Sequence, residues 1–185
     1  MFYVARHGMT DYNEQNICQG QEHNPLNEAG RNQSRSLADR VEQIKFEYFF
    51  SSDLLRAVQT ADIVNEKLKM NIEYDSRLRE RRTGIFSAKP RENIPIEIKI
   101  DAIENAHKYG GETYEDIYIR CKSFYDEVKR KSINNTLIIA HGGSIKMLRY
   151  IVLGNKWCKE YYSEFLATLE PINFTEVFEL DFYNN

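Results

Sequence analysis

Phe2-Tyr3-Val4-Ala5-Arg6-His7-Gly8-Met9-Thr10 is an apolar run that ends at once in a cation, an imidazole and a glycine. A run this short, apolar at consecutive positions, suits a strand buried on both faces, because neither side of its pleat meets water. The turn that follows gathers backbone N–H groups, a guanidinium and an imidazole in one place, a combination suited to a phosphoryl group. Two later runs repeat the device. Tyr48 to Ser51 leads into Ser52-Asp53-Leu54-Leu55-Arg56, and Leu137 to Ala140 leads into His141-Gly142-Gly143-Ser144. In an open parallel sheet the carboxyl ends of strands converge, so two imidazoles and two guanidiniums are expected to meet there.

Helical periods fill the intervals. Asn27 is placed to cap a helix carrying Leu37, Ala38, Val41 and Ile44, and Ala57, Ala61, Val64 and Leu68 recur at helical spacing. Tyr114, Ile117, Tyr118, Cys121, Phe124 and Val128 mark another helix, and Ile145, Leu148, Arg149 and Val152 begin one that Gly154 ends. Tyr114, Tyr118 and Tyr125 read as a packing stripe. Alternating strands and helices predict an α/β fold, three layers α/β/α around a mostly parallel sheet. Pro171 followed by Phe174, Val177 and Phe178 reads as one or two late strands at a sheet edge. Lys89 to Lys108, with Pro90, Pro95 and an Ile-rich stretch, lacks a strand period. It reads as a small cap insertion, roughly residues 85–110, over a single domain comprising residues 1–185.

Composition narrows the function classes. The chain is 42% hydrophobic and 29% charged with a formal net charge of −3, which argues against a nucleic-acid surface while leaving room for a locally basic pocket. It has no apolar run of membrane-spanning length and no basic leader, so a soluble cytoplasmic protein without membrane partners is expected. Cys18, Cys121 and Cys158 are odd in number and widely spaced, as reduced thiols are, and no Cys or His pair has zinc-ligand spacing. His23 and His107 lie outside the motifs and are read as surface residues. No metal or other cofactor is expected.

The motifs form an ordered series. Arg6-His7-Gly8-Met9-Thr10 with Asn13, Gln19-Gly20, Pro25-Leu26 and Gly30 comes first; Ser52 to Ala61 follows; then Leu78-Arg79-Glu80 with Gly84, Gly110-Gly111-Glu112-Thr113, and Ala140-His141-Gly142-Gly143. In this order and over essentially its whole length the chain resembles the histidine phosphatase superfamily, the phosphoglycerate-mutase-like proteins. The resemblance implies a phosphomonoesterase acting on a small phosphorylated metabolite, with His7 as the nucleophile that forms a phosphohistidine. Arg6, Arg56 and His141 are then donors to the phosphoryl oxygens, and Glu80 is the proton donor to the leaving group and later the activator of water. Gly8, Thr10, Asn13, Gln19, Gly20 and Gly142 complete the phosphate pocket, with backbone N–H groups after Gly8. Arg56 stands near a helix N-terminus, a poor place for a cation unless an anion is present, which points the same way.

Departures from the pattern are local. Ile85-Phe86-Ser87 stands where the family often has Trp then Glu, Tyr12 where Trp is frequent and Met9 where Glu is frequent. Arg81 and Arg82 add cations beside Glu80 that either lower its pKa or greet an acidic substrate. The stretch from Gly84 to Gly110 is short for a cofactor-dependent mutase, so phosphoglycerate mutase-type transfer is the second expectation. A phospho-ligand-binding protein without turnover is the third, disfavoured because the whole set of reacting residues is present. Assembly as a homodimer is left open.

Overall fold

The structure is a computed structural model and describes residues 1–168 and 171–180. Its elements run β1 (Phe2–Arg6), α1 (Asp11–Glu14), α2 (Glu28–Val41), β2 (Tyr48–Ser51), α3 (Leu55–Leu68), β3 (Ile72–Tyr74), α4 (Ile96–Glu104), α5 (Tyr114–Arg130), β4 (Thr136–Ala140), α6 (Gly142–Val152), α7 (Lys159–Thr168) and β5 (Val177–Leu180). The five strands form one sheet in the order β3-β2-β4-β1-β5. β1, β2, β3 and β4 are parallel, and β5 closes the edge antiparallel to β1. Every residue of β4 is buried, as expected for a strand covered on both faces.

Two cores cover the two faces. On one, Leu37, Ala38 and Val41 of α2 and Ala57, Ala61 and Val64 of α3 pack on Ala5, Phe49, Leu137 and Ile139. On the other, Ile117, Cys121 and Phe124 of α5 and Ile145, Leu148 and Ile151 of α6 pack on Val4, Phe50 and Ile138. Alternate residues of each strand thus feed opposite cores, and each fully buried aliphatic side chain contributes roughly 1.5–3 kcal/mol. The helices start where the sequence places them: Asn27 Oδ1 accepts from Gly30 N at 2.9 Å, and Thr113 forms a capping box with Asp116. Glycine is required where α2 meets the loop after β1, because a side chain on Gly8 would strike the Gly30 carbonyl, and one on Gly30 the backbone of Met9.

The structure fills in elements that the sequence reading leaves open. The stretch from Gly84 to Tyr109 is helical, with α4 flanked by 3₁₀ turns at Gly84–Phe86, Arg91–Asn93 and Ala106–Tyr109. β3 and α7 carry no strong signal: β3 is a three-residue edge strand with two exposed positions, and α7 has a single fully buried anchor, Tyr162. Of the one or two late strands expected at a sheet edge, one, β5, stands at that edge among the described residues.

Candidate active site

Register brings the site together. Arg6 pairs with Ala140 and Ser51 with Ile139, so β1, β4 and β2 end level. Two bonds carry the alignment one residue further: His7 N donates to Ala140 O at 3.0 Å, and Ser52 N to Ile139 O at 2.9 Å. His7, Ser52 and His141 therefore stand side by side, with the two imidazole centroids 5.1 Å apart.

His7 is almost wholly buried and its Nδ1 lies 2.6 Å from Gly8 O. A carbonyl only accepts, so Nδ1 carries the proton and Nε2 keeps its lone pair. Arg56 Nε donates to that lone pair at 3.2 Å. Burial, then the charges of Arg56 and Arg6, hold the His7 pKa well below the ordinary imidazole value, so the ring is neutral at pH 7. His141 is neutral for similar reasons, burial first and Arg56 next. Its Nε2 lies 2.8 Å from Ser52 Oγ, which itself accepts from Leu54 N at 3.3 Å. The hydroxyl can donate to Nε2 or accept from it, and Nδ1 is a buried atom with no hydrogen-bond partner among the described residues.

Arg6 is held from the far end of the chain. Its Nη1 donates to Ile172 O at 2.6 Å and its guanidinium lies 4.1 Å from the Phe174 ring centroid, while its buried Nε has no partner among the described residues. Arg6 Nε, a buried donor, and His141 Nδ1 thus both lack partners, which is costly for the guanidinium unless an oxyanion supplies an acceptor. Glu80 lies at the N-terminus of α6, its Oε2 accepting from Gly143 N at 3.2 Å and its Oε1 from Arg81 N at 2.8 Å. The approach requires glycine: a Cβ on Gly143 would overlap Oε1 and lie 3.3 Å from Cδ. The Glu80 carbonyl is clamped in turn by Gln21 Nε2 at 3.0 Å and Arg120 Nη2 at 3.2 Å, and Arg120 is paired with Glu112 at 3.1 Å. A cavity of about 350 Å³ opens in front of Arg6, Glu80, Gly142 and Gly143, with Arg81 and Tyr114 on its wall.

The remaining expected residues sit close by, with different partners. The N–H groups after Gly8 are engaged within the protein: Gly8 N donates to Thr60 Oγ1, Met9 N to Gln33 Oε1 and Thr10 N to Asn13 Oδ1. Thr10 and Asn13 form the capping box of α1, and Gln19 Oε1 accepts from Thr10 Oγ1 at 3.0 Å. Gly20 offers its carbonyl to Arg56 Nη2 at 2.8 Å, and Glu22 its carbonyl to Nη1 at 2.9 Å. Those carbonyls, rather than an anion alone, make the start of α3 tolerable for a cation. Tyr114 packs against the core and Tyr162 as expected, and it also lines the cavity and lies under Arg81, whose Cζ is 5.4 Å from its ring. His107 and His23 are exposed as expected. Ser52, Thr60, Gln21, Glu112 and Arg120 were not assigned site roles from the sequence, although Ser52, Thr60 and Glu112 fall inside its motifs.

The chain is similar in sequence and fold to known proteins. A model of the histidine phosphatase superfamily (branch 1) matches residues 2–164. Fructose-2,6-bisphosphatase TIGAR of Xenopus tropicalis is 36% identical over 135 residues, covering 69% of this chain and 49% of that protein, so the chain spans about half the length of this relative. The solved structure of Bacillus stearothermophilus YhfR superposes with a TM-score of 0.80 at 27% identity, covering 95% of this chain and 88% of that one. A phosphoglycerate mutase from Bacillus anthracis superposes with a TM-score of 0.70 at 26% identity, covering 82% and 78%.

Proposed function

Because this chain belongs to the histidine phosphatase superfamily, branch 1, we propose that it is a phosphomonoesterase that works through phospho-His7 on a small phosphorylated metabolite. The observation that carries the reading is the fixed tautomer of His7, whose Nδ1 is committed to Gly8 O. The lone pair of Nε2 attacks phosphorus and the bond from phosphorus to the leaving oxygen breaks. Glu80 gives its proton to that oxygen. In the second half water attacks the phosphohistidine, its proton returns to Glu80, and phosphate leaves with His7 restored. Arg6, Arg56 and His141 balance the charge on the phosphoryl oxygens through both steps, the task a metal ion performs in other phosphoryl-transfer sites.

The segment near residues 85–110 serves as the cap of a single domain, in keeping with a neighbouring cavity that its Phe86, Arg91 and Ile94 line and that shares Arg81 and Tyr114 with the one in front of Glu80. No helix among the described residues is long and apolar enough to cross a membrane, and the cytoplasm is the compartment we assign. Phosphate release from p-nitrophenyl phosphate and a metabolite panel, with EDTA present and from mildly acidic to neutral pH, tests the activity. Turnover in EDTA that is lost in His7→Ala is the expected result; no release from any ester would remove the enzyme reading. Interconversion of phosphoglycerates with 2,3-bisphosphoglycerate, outpacing phosphate release, would replace hydrolysis with mutase-type transfer.

A further inference from the structure

Beside the catalytic cavity lies a second one of about 330 Å³, whose lining includes Arg81, Arg91 and Lys99 but no carboxylate. Phe86, Ile94 and Ala102 give it apolar walls, and Arg81 and Tyr114 are shared with the cavity in front of Glu80. Arg81, Arg91 and Lys99 make no ion pair among the described residues. Three like charges around one hollow repel one another, and an anion seated among them would offset that repulsion.

The chain brings these cations together from three places. Arg81 follows Glu80 directly; Arg91 opens a 3₁₀ turn whose backbone N–H is tied to Asn16 O at 3.1 Å; Lys99 projects from α4.

We propose that this cavity seats a second anionic group carried by the leaving alcohol, so that the preferred substrate is a small bisphosphorylated molecule and Arg81, Arg91 and Lys99 set its specificity. Three unpaired cations match a phosphate dianion better than a single carboxylate. The assignment rests on the reading of His7 as phosphoryl acceptor, but its test does not need turnover.

Calorimetry with α,ω-alkane bisphosphonates and with alkylphosphonates of matched length reads the subsite directly, because neither is hydrolysed. The wild-type protein is expected to bind the best bisphosphonate at least about tenfold more tightly than its monophosphonate partner, the scale of one charge-assisted hydrogen bond. The double variant Arg91→Ala/Lys99→Ala should lose that advantage while keeping its melting temperature and its rate on p-nitrophenyl phosphate, which carries no second anion. Equal affinity for both series, or an advantage that survives the double variant, overturns the proposal. So does an ω-carboxyalkylphosphonate that binds as well as the bisphosphonate. Preference without hydrolysis of any ester would leave the subsite standing and remove the phosphatase reading.

Discussion

Replacing Gly143 with alanine separates the chemistry of Glu80 from the stability of the fold. The new Cβ would overlap Glu80 Oε1 and lie 3.3 Å from Cδ, so the carboxylate must leave the N-terminus of α6. Its bond to Gly143 N, 3.2 Å long, is charge-assisted and contributes about 1.5–3 kcal/mol. Alanine in a helix recovers about 1 kcal/mol relative to glycine, and the displaced carboxylate is half-buried and can be resolvated. The net stability change is therefore within about 2 kcal/mol. Catalysis fares worse: misplacing a general acid costs on the order of 10²- to 10⁴-fold on an alkyl phosphate, and much less on an aryl phosphate whose leaving group needs little protonation. Steady-state kcat/KM for both ester types, beside thermal melts, reads both quantities. Glu80→Gln should show the same alkyl-over-aryl pattern, and the double variant should be little worse than Glu80→Gln alone, because both act on one group. Equal loss on both esters, or multiplicative loss in the double variant, refutes the role given to the contact.

Ser52→Ala removes the hydroxyl bonded to His141 Nε2 and should lower kcat on the order of tenfold to a hundredfold, with the His141 Nε2 resonance shifting in ¹⁵N NMR; an unchanged spectrum with full activity contradicts the assignment. His7 and His141 are buried neutral with depressed pKa values. Below about pH 6.5 the unfolded chain takes up protons that the folded one does not, so stability falls with acidification at up to about 1.4 kcal/mol per pH unit for each ring until the folded pKa values are reached. Urea midpoints measured across that range check it, and a flat profile contradicts it. Arg120→Met should cost about 2–3 kcal/mol in urea unfolding, since it leaves Glu112 without its cation and frees the Arg77 and Glu80 carbonyls, and should slow alkyl esters more than aryl ones. Stability within error of the wild type would remove Arg120 from the Glu80 clamp.

Legibility followed burial. β1, β2 and β4 are readable because each carries an apolar run into a doubly covered sheet, and the motif residues are readable because each begins where such a run ends. β3 is short and mostly exposed, so Ile72-Glu73-Tyr74 leaves no comparable signal. In α4 the alternation Ile96, Ile98, Ile100 imitates neither core face, since those residues stay largely exposed, and Pro95 reads as a breaker although it occupies the N-cap. Site groups acting through the backbone escaped for a different reason. Ile172 O and Glu22 O hold the two arginines whatever side chain those positions carry, so residue identity does not announce them. Ser52 was within view in its motif, but a hydroxyl that bonds an imidazole becomes visible only when the register of β2 against β4 places it beside His141.

The central claim is that Nε2 of His7 becomes covalently bonded to phosphorus. Rapid acid-free quenching during turnover of a good substrate, followed by intact-mass measurement and peptide mapping, tests it directly. The account predicts one phosphoryl group on His7, labile to acid, stable to base and missing from His7→Ala. A turnover-competent, acid-stable label on any other residue would contradict it.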